Sequence, residues 1–174
     1  RESAMSAIDL SGRVALVTGG SRGIGRAIAV CLAEAGADVA INYVANETAA
    51  TGALSAVKGA GRRGIAVRAD VSNAEAVAAM VGEVTEALGP VDILVNNAGI
   101  ATPRAIEETT EADFVHTLAI NLTSSFLCSQ AVLPGMRGRK WGRLIFITSG
   151  AAHSGGLRQV FLCQSGKSAG QLHR

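Results

Sequence analysis

Short apolar runs alternate along this chain with longer stretches in which apolar residues recur every three or four positions. The runs Val14–Val17, Val39–Ile41, Ile65–Arg68, Ile93–Val95 and Leu144–Ile147 predict strands. Helical spacing between them predicts helices over Ile24–Ala35, Glu47–Lys58, Ala74–Leu88 and Glu111–Met136. Gly36, Gly59 with Gly61, and Gly89-Pro90 are read as helix stops. Ser72 with Glu75, and Thr110 with Asp113, carry the spacing of capping boxes at helix starts. The last helical span is long, and a break is expected at Asn121-Leu122-Thr123. Strands that are apolar at every position are buried on both faces, so the alternation predicts an α/β protein: a doubly wound, Rossmann-type parallel sheet. In such a sheet the strand order reverses beside the first strand, and ligands gather there at the carboxyl ends.

The spacing of elements predicts one domain over residues 8–174, with residues 1–7, ahead of the first pattern, as a tail. A net charge of +2 offers little to nucleic acid, and the basic groups Arg62-Arg63 and Arg137, Arg139, Lys140 and Arg143 are read as solvated surface. The cysteines Cys31, Cys128 and Cys163 are odd in number and far apart, which argues against disulfides and against a metal site and for a reducing, cytoplasmic setting. Cys31 and Cys128 sit among apolar helical neighbours and are expected in the core. No signal peptide and no apolar run long enough for a bilayer is present, so no membrane partner is expected. His116 and His153 are expected to be solvent or loop histidines.

Candidate chemistry begins at Thr18-Gly19-Gly20-Ser21-Arg22-Gly23-Ile24-Gly25, between the first strand and the first helix. Glycines at 19, 23 and 25 allow a tight turn, close backbone approach to a pyrophosphate and close helix–strand packing. The N–H groups and positive dipole end of the following helix attract phosphate. A helix cap plus loop is the plain alternative, but strand and helix are both in place, so Gly19, Ser21, Arg22, Gly23, Ile24 and Gly25 are candidate cofactor-binding residues. An NAD site usually carries an acid near the end of the second strand. Here Ala40-Ile41-Asn42-Tyr43-Val44-Ala45 has none before Glu47, and Asp38 lies at the wrong end of the strand. Arg22 is either a surface arginine or a partner for a ribose 2′-phosphate, and with the acid missing, NADP(H) is the expected cofactor.

Taken together these features resemble the short-chain dehydrogenase/reductase family. The turn fits its Thr-Gly-x-x-x-Gly-x-Gly form, Asp70-Val71 fits its adenine-contacting pair, and Asn96-Asn97-Ala98-Gly99 fits its Asn-Asn-Ala-Gly signature. The resemblance implies cofactor contacts at Asp70, Val71, Asn97, Ala98 and Gly99, and catalytic roles for Asn121, Ser149 and Lys167. Within the family the chain looks most like 3-oxoacyl-[acyl carrier protein] reductases of fatty-acid synthesis. That likeness implies NADPH-dependent reduction of a 3-oxoacyl thioester or similar carbonyl, with acyl carrier protein as a candidate carrier of the substrate. It also implies a homodimer or tetramer packed through the helix around Thr123–Met136, with Phe126, Leu127 and Ala131 supplying apolar area, and Leu133 either joining them or facing this chain's own sheet.

The chain departs from the family at one catalytic position. A Tyr-x-x-x-Lys pair should follow Ser149, yet four residues before Lys167 stands Cys163, and Tyr43 is the sole tyrosine. The family also continues beyond the point where this sequence stops, so the domain is expected to be truncated at its C-terminus, or its last stretch to have left the parent reading frame. A catalytically silent NADP(H)-binding fragment or partner subunit is therefore the alternative to an active reductase.

Overall fold

The computed structural model describes residues 8–101 and 106–149. Five parallel strands, β1 (Val14–Val17), β2 (Asp38–Tyr43), β3 (Gly64–Arg68), β4 (Ile93–Asn96) and β5 (Arg143–Phe146), lie in the order β3-β2-β1-β4-β5. Helices α1 (Gly23–Glu34), α2 (Glu47–Gly59), α3 (Ala74–Leu88), α4 (Glu111–Leu118) and α5 (Ser124–Gly138) connect them, with a 3-10 turn at Ile106–Glu108. Alternate strand residues enter two separate cores. Val17, Val39, Ile41 and Val95 pack with α1 and α2 on one face, while Leu16, Ala40, Val67 and Leu94 pack with α3 and α5 on the other. The doubly wound parallel sheet is thus present as expected, with strand ends shifted by a residue or two, as helix and strand boundaries commonly are.

Several local expectations are corrected. The long helical span is two helices joined by a π-helical turn at Ala119–Thr123, which is where the break was expected. The Thr110–Asp113 capping box forms, but Ser72–Glu75 does not. Ser72 donates its hydroxyl to Asp70 at 2.7 Å, and Asn73 caps α3 instead by accepting from the Ala76 N–H. Gly59 remains inside α2, and Gly61, at φ +75°, makes the turn that ends it. Cys31 is exposed, because α1 presents Gly25, Ala29 and Ala33 to the sheet and Cys31 falls off that stripe. Cys128 is buried as expected, and burial pushes its thiol up to about 12, leaving it inert at neutral pH. Of the apolar residues on α5 expected to face a partner subunit, Leu127 and Ala131 pack against this chain's own core, whereas Phe126 is 60% exposed.

The two basic groups are only partly solvated surface. Arg62 and Arg63 hold Asp38 at 3.0 and 2.7 Å at the amino end of β2. Arg139 holds Asp92 at 3.2 Å at the amino end of β4, and Arg13 and Arg143 lie over the Trp141 ring. These clamps sit at the opposite end of the sheet from the glycine turn. Burial pushes the Asp38 carboxyl up, but hydrogen bonds from the Arg63 side chain and N–H, with the charges of both arginines, outweigh it and hold the group below the usual range. A depressed folded-state value means that this stabilisation is complete above about pH 4 and is lost as pH falls through the folded value. Asp38→Asn is therefore expected to lower the urea midpoint at pH 7 and to reduce its fall between pH 5 and pH 3. An unchanged acid limb in the variant would contradict this.

Helix α5 ends in a Schellman motif: the Trp141 N–H donates to the Met136 carbonyl and the Lys140 N–H to the Arg137 carbonyl. The motif requires a left-handed residue, and Lys140 fills that place at φ +55°. Helix α1 ends the same way, but with Gly36 at φ +102°. Lys140→Gly is expected to stabilise the protein by about 1 kcal/mol, the strain that a side chain meets in this region. Chemical denaturation measures the gain.

Candidate nucleotide and carbonyl site

Because all five strands are parallel, their carboxyl ends meet at one edge of the sheet, and every described candidate residue lies there or on the segments that follow. The chain passes from β1 outward through β2 to β3, then returns to start β4 on the other side of β1. The crevice at this reversal is fastened by hydrogen bonds. Thr18 Oγ1 donates to the Val95 carbonyl at 3.2 Å and accepts the N–H groups of Asn97 and Ala98, each at 3.0 Å. Asn97 Nδ2 donates to the carbonyls of Thr18 at 2.9 Å and Gly19 at 3.1 Å. The Asn97 side chain thus ties the end of β4 to the glycine turn.

The turn itself has no room to spare. Gly19 has φ +61°, and a Cβ there would lie 3.1 Å from Ala98 Cα. A Cβ on Gly25 would overlap the Gly19 carbonyl oxygen and stand 2.5 Å from Asn97 Nδ2, so α1 lies directly against the turn. Gly23 differs: it needs φ +52°, but a Cβ there would meet nothing within 4 Å. Ser21 is half-buried, and Arg22, Gly23 and Ile24 are exposed.

Helix α1 begins without a side-chain cap and with no acid in its first turn. Asn46, Asn73 and Thr110 cap α2, α3 and α4, and each of those helices carries a carboxylate in its first turn. The α1 start therefore keeps orphan N–H donors and an uncompensated positive dipole end, open toward Gly23. That donor set, with the glycine geometry beneath it, fits a pyrophosphate.

The remaining candidates are placed as follows. Asp70 is exposed beyond β3, its carboxyl held below the usual range by the Ser72 hydroxyl and N–H, with the charge of His116 on α4 adding to the effect. Val71 is 2% exposed, with its side chain in the core that α3 and α5 cover. Gly99 is exposed and Ala98 half-buried. Asn121 is 2% exposed, turned inward by the π-helical turn. Its Oδ1 accepts from the Ile100 N–H at 2.8 Å and its Nδ2 donates to the Ile100 carbonyl at 2.9 Å. With both amide ends on Ile100, Asn121 anchors the segment after Gly99, which leaves one N–H and one oxygen lone pair of the amide outside these two bonds. Ser149 is half-buried three residues past β5, at the carboxyl edge, where the Ile147 N–H to Asn96 carbonyl bond extends the ladder. Lys167, Cys163 and His153 lie outside the described residues. His116 is exposed, though on a helix rather than a loop.

Sequence reading missed Asn42. It is 1% exposed in β2, its Oδ1 accepts the Gly19 N–H at 3.2 Å, and its Nδ2 donates to the Ala69 carbonyl at 2.9 Å. The signal was a polar residue inside an otherwise apolar strand, which has to be hydrogen-bonded once buried.

The parallel sheet, its reversal point and the uncapped glycine turn define a Rossmann-type, dinucleotide-binding architecture. The sequence profile of the short chain dehydrogenase family matches residues 13–170, and the chain belongs to that family. It is 44% identical over 150 residues to a short-chain dehydrogenase/reductase of Armillaria gallica, covering 83% of this chain and 56% of that protein. It is 40% identical over 146 residues to a 3-oxoacyl-[acyl-carrier-protein] reductase of Synechocystis, covering 84% and 59%. Among solved structures, a blue fluorescent protein from a metagenomic library in complex with NADPH has a TM-score of 0.85 and 41% identity, over 92% of this chain and 65% of that one. A 7α-hydroxysteroid dehydrogenase complexed with NADH and 7-oxo glycochenodeoxycholic acid has a TM-score of 0.87 and 33% identity, over 94% and 63%. The chain thus spans less than two thirds of the length of each. Among the described residues no helix is long and apolar enough to cross a membrane, and no group of three metal-ligating side chains occurs.

Proposed function

We propose that the chain binds NADP(H) across the β1–β4 crevice and descends from reductases of 3-oxoacyl thioesters or similar carbonyls. The observation that carries the nucleotide reading is the open, uncapped start of α1 over Gly23. Gly19, Ser21, Gly23, Ile24 and Gly25 would hold the pyrophosphate, Asp70 and Val71 the adenine, and Asn97, Ala98 and Gly99 the nicotinamide half. Preference for the 2′-phosphate rests on the exposed Arg22 and on the absence of a carboxylate at the carboxyl end of β2. The wild-type chain is expected to bind NADPH about tenfold more tightly than NADH, with Arg22→Ala removing most of the difference. Nucleotide fluorescence titration decides it, and equal affinities would sink the preference.

Bound there, the dinucleotide would supply hydride chemistry at C4 of its nicotinamide ring. Ser149, at the edge beyond β5, would donate a hydrogen bond to the carbonyl oxygen, where charge develops in the transition state. Asn121 holds Ile100 and so the end of the Asn96–Gly99 segment. Lys167 would lower the pKa of a neighbouring proton donor. A specific observation favours the second reading, a catalytically silent NADP(H)-binding protein: Cys163 stands where the proton-donating tyrosine of the family's Tyr-x-x-x-Lys pair would be. Acyl carrier protein as substrate carrier, a homo-oligomer built on the α5 face around Phe126, and a cytoplasmic location complete the proposal. Light scattering tests the oligomer.

A further inference from the structure

The carboxyl end of β2 is flanked by two arginines, Arg22 and Arg68, neither of which forms an ion pair among the described residues. From one side the glycine turn sits on it, with the Gly20 N–H donating to the Asn42 carbonyl at 2.9 Å and Arg22 two residues further on. From the other side Arg68, the last residue of β3, pairs in register with Tyr43 and reaches back over the strand end, where its Nε donates to the Val44 carbonyl at 2.9 Å. Tyr43 and Arg68 follow the strand residues Val39, Ile41 and Ala66 in parity, which places both side chains on the face that carries α1 and α2.

Arg68 differs from the chain's other buttressing arginines. Arg62, Arg63 and Arg139 each bind a carboxylate, whereas Arg68 is exposed and forms no ion pair among the described residues. Among the described residues its side chain makes one hydrogen bond, through Nε, so the two terminal nitrogens keep donors suited to a phosphate monoester. We propose that Arg68 is a specificity-determining residue, which together with Arg22 forms a two-sided clamp for the ribose 2′-phosphate at the carboxyl end of β2. The proposal rests on the NADP(H) reading and extends it to a residue outside the glycine turn, contributed by the edge strand.

The test uses the full chain and titrates NADPH, NADH and adenosine 2′-monophosphate against wild type, Arg68→Gln, Arg68→Lys and Arg22→Ala. Glutamine keeps the length and a donor for the Val44 carbonyl while removing the charge, and circular dichroism confirms that each variant is folded. Arg68→Gln should weaken NADPH and adenosine 2′-monophosphate about tenfold and leave NADH within about twofold, while Arg68→Lys recovers part of the loss. The loss should shrink in high salt, as charge-based recognition of an exposed phosphate does. Unchanged NADPH affinity in Arg68→Gln, or an equal fall for NADPH and NADH, overturns the clamp. If Arg22→Ala alone abolishes the NADPH preference while Arg68→Gln does not, Arg68 fails and the cofactor reading stands. If the wild type shows no NADPH preference, both fail.

Discussion

Offered NADPH and an acetoacetyl thioester, the 174-residue chain is expected to turn over about 10²–10⁴-fold more slowly than a family member that carries the tyrosine–lysine pair. That factor is the general-acid contribution forfeited when no phenol reaches the carbonyl oxygen. Tyr43 cannot supply it. It ends β2, and the sheet order places β1 and β4 between β2 and β5, whose far end carries Ser149. Three strand spacings amount to about 14 Å, more than twice the reach of a tyrosine side chain. The Cys163 thiol is shorter than a phenol by a ring. NADPH oxidation followed at 340 nm, alongside a binding titration on the same sample, separates a silent binder from an unfolded one. Robust turnover would show that a proton donor other than tyrosine serves this site. In that case Ser149→Ala should remove a large part of the rate.

The second large effect concerns Gly25. Gly25→Val is expected to abolish nucleotide binding and to destabilise the protein by about 3 kcal/mol or more. Its Cβ would fall on the Gly19 carbonyl oxygen, a backbone atom of the turn that cannot swing aside as a side chain can. Helix α1 would have to move away from the turn, taking with it the N–H groups that face the phosphates. Gly23→Ala is the contrasting case. Nothing crowds its Cβ, but φ +52° disfavours any side chain, so a loss of about 1–2 kcal/mol is expected with the turn otherwise in place. Urea denaturation and NADPH titration of the two variants give the comparison, and similar behaviour in both would contradict the packing argument.

Much of the fold was legible because periodicity and turn chemistry are local. Ala74–Leu88 and Val14–Val17 are observed with the bounds their apolar spacing gave. The expected break at Asn121 is a π-helical turn that drives its amide inward, and Thr110 with Asp113 caps α4. Where local signals competed, the chain chose between near-equals. Asn73 rather than Ser72 caps α3, since Asp70 had already engaged the Ser72 hydroxyl. Cys31 was misplaced because its neighbours are apolar, whereas burial on α1 is decided by which stripe faces the sheet.

The sequence by itself determined the strand–helix alternation, the glycine turn and the family, since each is written in neighbouring residues. It also showed the missing tyrosine. Tertiary structure alone decided which distant groups meet. Thr18 and Asn97 are joined across the reversal point, Asn42 links the glycine turn to Ala69, and both ends of the Asn121 amide are fixed on Ile100. The arginines at the amino ends of the strands proved to be clamps on Asp38 and Asp92, while Arg68, at the carboxyl end, has no ion pair among the described residues. The physical reason is common to all of them. A charge or an amide in a sequence has no fixed partner, and its partner is settled only when strands far apart in the chain are laid side by side.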